Sequence, residues 1–197
     1  MKVASLPTWL VEVFMHSLRH RVIFYIGLIL FLAIVSAGTT ISAFATLTES
    51  GPTSVSATAV NLNGTNKTTT YSLGLTVANT PSGGNGAGWN LTITSTTFTS
   101  GSHTLSTTAS TINAAPTAAC NSGCPVSPTN TISYPMTVPA GSSPPAAVKF
   151  FDATAGTGKN TGSGSYTITP TITIAIPANT FAGTYTSTVN VTIVSGP

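Results

Sequence analysis

The sequence predicts an all-β protein, built as an antiparallel β-sandwich or partly closed barrel and preceded by an N-terminal hydrophobic helix that serves as signal peptide or anchor. Three observations predict it. Past Ala45 no stretch sustains the i, i+3, i+4, i+7 apolar spacing of an amphipathic helix, whereas several runs alternate strictly between apolar and small polar residues. Gly- and Pro-rich joints separate those runs at Pro81 to Gly88, Gly141 to Pro145 and Gly156 to Gly164. Thr occupies most outward positions, where its β-branched stem suits a pleated surface and its hydroxyl keeps that surface wet without charge.

The leader comes first. Val22 to Val35 is an uninterrupted apolar run, preceded by Arg19, His20 and Arg21 and followed by small polar residues, the order an export signal presents. Ala43-Phe44-Ala45 supplies an A-x-A cleavage site, and Val35-Ser36-Ala37 a second option. A retained anchor is the competing reading, because apolar and small residues continue to Ala45 and span roughly 30 Å as a helix. Either reading sends the remainder outside, since the basic flank holds the N-terminal side in the cytoplasm. Met15 opens a conventional signal and is read as the true start, which a precursor peptide containing Lys2 or Trp9 would refute.

The expected organisation is therefore 1–45 as extension and signal peptide, 46–54 as a flexible segment and 55–197 as one β-domain. About 150 residues remain after cleavage, enough for one core. Tyr71, Leu73, Leu75 and Val77 share one face of a predicted strand, as do Trp89, Leu91 and Ile93. A strand over Ile168 to Ile176 turns Ile168, Ile172, Ile174 and Ile176 inward. In the last run Tyr185, Val189, Val191 and Ile193 face Thr184, Thr186, Thr188, Asn190 and Thr192. Shorter candidates are Val55 to Val60, Thr104 to Ser106, Thr131 to Val138 and Ala147 to Phe151.

Only 5% of the residues are charged, and those past Ala45 are Glu49, Lys67, Lys149, Asp152 and Lys159. With no cluster of Lys or Arg to neutralise phosphates, nucleic acid is excluded as a partner. Catalysis lacks groups as well. After the leader a glycosidase would have to be assembled from Glu49 and Asp152, and a triad from His103, Asp152 and a serine, with no G-x-S-x-G or H-E-x-x-H motif present. His103, after Gly101 and between Ser102 and Thr104, reads as an exposed turn residue. The chain is expected to be no enzyme and to use no cofactor or metal.

Cys120 and Cys124 are the only cysteines, and in the exported part a C-x3-C pair without nearby His or carboxylate reads as a disulfide that stiffens one surface turn. Four N-x-[ST] sequons stand at Asn63, Asn66, Asn90 and Asn190, the last two expected on polar strand faces.

Gly86-Ala87-Gly88-Trp89-Asn90-Leu91-Thr92-Ile93, followed by Phe98, resembles the first signature of the WxL domain, a bacterial cell-surface module. Ile176-Pro177-Ala178-Asn179-Thr180-Phe181-Ala182-Gly183-Thr184-Tyr185 and the closing Thr-rich strand are similar to that domain's end. The second W-x-L, expected before the penultimate strand, stands here as Tyr166-Thr167-Ile168. The resemblance covers roughly Val55 to Pro197 and implies non-covalent attachment to the cell wall, with peptidoglycan as ligand. The missing Trp bears on wall binding and not on the fold.

Trp89 at the head of an alternating strand reads as a core residue with its indole N–H bonded locally. The sharper alternative makes Trp89 and Tyr166 a ligand-binding platform for a sugar ring, which requires both rings exposed on one face. The expected function is an exported, non-enzymatic cell-surface protein that associates non-covalently with wall glycan or other surface proteins. The alternative is a subunit of an extracellular filament or lattice, self-associating by strand addition through Thr46 to Thr53. A freely secreted carbohydrate-binding module is a third class. The membrane enters only through an uncleaved N-terminal segment.

Overall fold

A computed structural model describes residues 47–78, 86–161 and 164–196. The expected N-terminal helix, its cleavage sites and Met15 lie outside the described residues. Fourteen strands and no helix occur among the described residues: β1 (Thr48–Ser50), β2 (Lys67–Ser72), β3 (Leu75–Ala78), β4 (Trp89–Thr96), β5 (Thr99–Ser100), β6 (His103–Thr104), β7 (Ser110–Ile112), β8 (Thr117–Ser122), β9 (Met136–Thr137), β10 (Ala140–Gly141), β11 (Val148–Ala153), β12 (Ser165–Thr169), β13 (Thr171–Ile176) and β14 (Val189–Ser195). They form sheets ordered β1-β3-β12-β8 and β2-β13-β7-β9, a third in which β4 is central, and the small ribbon β5-β6. Among the described residues no closed barrel is present. All pairings between these strands are antiparallel except that of β10 with β4.

Two runs expected as single strands each divide between two sheets. Tyr71 to Val77 breaks at Leu73-Gly74 into β2 and β3, and Ile168 to Ile176 breaks at Pro170 into β12 and β13. Proline cannot donate to a ladder and so sits at the bend. The two bends face each other, and Leu73 N–H donates to Pro170 O at 3.1 Å. Register is unchanged across the corner: Ile168 lies opposite Leu75, and Thr171 opposite Ser72. One continuous two-stranded ladder thus turns from one sheet into the next, a corner made by bent strands.

The alternation survives the corner because both sheets feed one core. Tyr71, Leu73, Leu75, Val77, Ile168, Ile172 and Ile174 are all buried, together with Trp89, Leu91, Ile93, Ile112, Val138, Phe150 and Phe151. β4 is flanked on one side by β14 and on the other by β11 and then β10, which makes it the central strand of its sheet. Asn90, Thr94 and Ser95 are buried on it as well. Between Lys149 and Phe151 the β11 register shifts by one residue, and the bulge turns both Phe150 and Phe151 inward.

Other expectations are corrected. Val55 to Val60 is irregular chain and not a strand; only Met136–Thr137 of Thr131 to Val138 is a strand, and the ribbon ends at Thr104. Thr48–Ser50, inside the segment expected to be flexible, is the edge strand β1, its Glu49 opposite Val77 of β3. β8 carries only Thr, Ala, Cys, Asn and Ser and is exposed throughout, held in place by β12.

Candidate functional site

Trp89 opens β4 with its ring fully buried, stacked against Phe151 with centroids 5.7 Å apart. Two glycines permit this placement. Gly88 has a φ of +76°, and a Cβ there would lie 2.1 Å from Ala153 O. Gly158, with φ of +60°, lies so close over the indole that its Cβ would fall 2.8 Å from Trp89 Nε1. The indole N–H donates to Gly158 O at 2.9 Å.

Tyr166 sits in β12 with 1% of its surface exposed. Its hydroxyl reaches Val126 O at 2.6 Å and Lys159 O, and burial raises the phenol above its ordinary pKa. Val126 and Lys159 form a bridge that closes over the ring. The two signature positions therefore anchor consecutive carbonyls of one segment, Gly158 by Trp89 and Lys159 by Tyr166. Neither ring presents a face to solvent. An exposed Trp89–Tyr166 sugar platform is thus corrected: both rings spend their faces on the interior, and their polar atoms fasten a loop.

The Cys120–Cys124 disulfide is formed, with Cα atoms 5.9 Å apart. It lies beside this region, since Cys120 is opposite Tyr166 and a register shift there leaves Asn121 as the bulged residue. Asn121 Nδ2 donates to Ser165 Oγ at 3.2 Å, and Thr167 Oγ1 to Asn121 Oδ1 at 3.0 Å.

Asp152, a candidate carboxylate for catalysis, is buried and fully used by structure. Oδ1 accepts the Thr131 N–H and Oδ2 the Thr131 hydroxyl, each at 2.6 Å. Asn130 Oδ1 accepts the Asp152 N–H at 3.2 Å, while its Nδ2 donates to Tyr134 Oη at 3.0 Å. The Tyr134 hydroxyl donates in turn to Phe150 O. Glu49, His103 and Asp152 stand on β1, β6 and β11, elements of three different sheets. Among the described residues no three His, Cys, Asp or Glu cluster for a metal. A shallow cleft of about 220 Å³ is lined by Asn113, Ala115, Thr117, Thr169, Thr171 and Thr173, all uncharged.

Asn63, Asn66 and Asn190 are exposed. Asn90, expected on a polar face, is buried, and the Nδ2 to which a glycan would be joined donates to Gly196 O at 2.6 Å. Sequence reasoning missed the pairing of His103 with Phe181, whose rings stack with centroids 3.9 Å apart although they lie far apart in the chain.

The interior aromatics and the Thr-faced strands define a charge-poor, all-β module. The family model described as "WxL domain surface cell wall-binding" matches residues 34–197. The chain belongs to the WxL family, and with that membership its place is the cell surface, in association with the cell wall. Comparison with curated proteins and with solved structures returned no match in either case.

Proposed function

We propose that the chain is a non-enzymatic adhesive module of the cell surface that holds non-covalently to wall glycan, with peptidoglycan as the ligand, or to other envelope components. The observation that carries the reading is the family match, which spans every described strand. In this reading 1–45 is the export leader and 55–197 the adhesive domain, whose sheets pack as a sandwich about their common core. The acid and base groups support it by their employment: Asp152 is tied to Thr131 and His103 is stacked on Phe181. The test is retention of the exported protein on isolated cell walls. Retention above that of a control protein, changing less than about twofold between low and high salt because so few charges are available, is expected. No retention above the control removes the reading.

One observation favours a second reading, the self-assembling subunit. β1 is a three-residue strand at a sheet edge, joined to β2 by the long and mostly exposed stretch 51–66. Such a strand is suited to exchange into a neighbour's edge. Sizing of the exported protein decides it, a strict monomer at all concentrations counting against assembly.

A further inference from the structure

We propose that Phe181, backed by His103, is a saccharide subsite whose occupant is the uncharged face of a pyranose ring in a wall glycan; the proposal rests on the wall-association reading above. Among the described residues the exposed large apolar side chains are Val55, Val126, Phe181 and Val194, and Phe181, at 62% exposure, is the most open and the only aromatic. The signature aromatics Trp89 and Tyr166 are sealed inside, so a ring that binds by stacking has to be offered elsewhere.

Phe181 is offered in a fixed orientation. One face lies on the His103 imidazole, with the planes 16° apart. The backbone below is held from both sides: Thr99 N–H donates to Thr186 O at 2.9 Å and Thr186 N–H to Thr99 O at 3.0 Å. Tyr185 Oη donates to Phe181 O at 3.2 Å, and Thr180 N–H to Pro177 O at 3.0 Å. A Cβ on Gly183 would lie 2.6 Å from Ser100 Oγ, so the loop rests directly on the β5-β6 ribbon. A ring ordered before binding loses little freedom when the ligand arrives.

The surroundings select the ligand class. The negative face of an aromatic ring attracts the weakly positive C–H groups that line one face of a sugar ring, and the stacked pair expels water from both. The segments 97–106 and 177–188, which build this surface, contain no Lys, Arg, Asp or Glu but many Ser and Thr. Hydroxyls at the rim match sugar hydroxyls, and neither segment carries a Lys or Arg to hold a phosphate or carboxylate. One ring on a hydroxyl-rich loop offers far less apolar area than the roughly 800 Å² that each partner contributes to a stable protein interface.

The experiment compares the exported full-length protein with Phe181→Ala and Phe181→Trp for retention on purified peptidoglycan, with thermal unfolding of each as the check on folding. The expected result is at least tenfold weaker retention of Phe181→Ala, near-normal retention of Phe181→Trp and unchanged unfolding temperatures. Equal retention of wild type and Phe181→Ala overturns the subsite and leaves wall association standing. No retention of the wild type overturns both. A Phe181→Ala protein that loses self-association on sizing but keeps its retention overturns the saccharide assignment in favour of a second copy of the chain.

Discussion

Gly158 and Lys159 turn consecutive carbonyls toward the Trp89 indole and the Tyr166 hydroxyl, so the two aromatics act together as fasteners of a loop. Tyr166→Phe leaves the Val126 and Lys159 carbonyls without the one phenol proton they share and is expected to cost about 1–3 kcal/mol in urea unfolding. Retention of the folded variant on cell walls should not change, since the ring contacts no solvent. Gly158→Ala places a methyl against the indole at positive φ and is expected to cost about 1–3 kcal/mol by the same measurement. At this scale the sequence showed much of the interior. Trp89, Leu91 and Ile93 announce themselves by alternation, because a side chain two residues on returns to the same face. Asn90 and Asp152 did not, because a polar residue at an outward phase looks alike whether it meets water or another segment, which is the stretch at Gly196 for Asn90 and at Thr131 for Asp152.

The corner at Gly74 and Pro170 explains why strand boundaries were less legible than strand faces. Alternation reports which side chains point to the core, and it continues unbroken through a bend that keeps them pointing there. β8 gave no signal at all, since an exposed strand without large apolar side chains is defined by its ladder with β12 and by the disulfide from its Cys120. Val55 to Val60 gave a false one, for alternation without a partner strand does not make a sheet. β1 carries a consequence for pH. Burial on the sheet edge raises the Glu49 carboxyl above its ordinary pKa, so the docked strand binds a proton more tightly than the released one. Its docking is then firmest below the ordinary carboxylate pKa and weakens as pH rises through the raised value. Amide exchange in 48–50, corrected for the intrinsic rate, should therefore quicken from mildly acidic to neutral pH. Glu49→Gln should abolish that change, and a persistent change in the variant would assign it to another group.

For the whole molecule the titrating groups that matter at alkaline pH are buried phenols. Burial pushes Tyr71 up to about 12 and raises Tyr134 and Tyr166 as well. Unfolded tyrosine ionises near pH 10, so above that pH the folded protein retains protons that the unfolded chain has lost, and stability must fall as pH rises. The contribution is complete below about pH 10 and gone beyond about pH 12, with Tyr71 alone accounting for about 2–3 kcal/mol. Denaturant unfolding at pH 8 and pH 11 should show about half of the Tyr71 contribution lost, and Tyr71→Phe should flatten that part of the decline. A last consequence follows from β4, whose Trp89 lies opposite Ser195 of β14. One flank of the central strand stays bare until residues 189–195 have been delivered. A chain delivered N-terminus first thus has no finished central sheet until its last strand arrives, and long-range closure of that kind makes cooperative folding a late event.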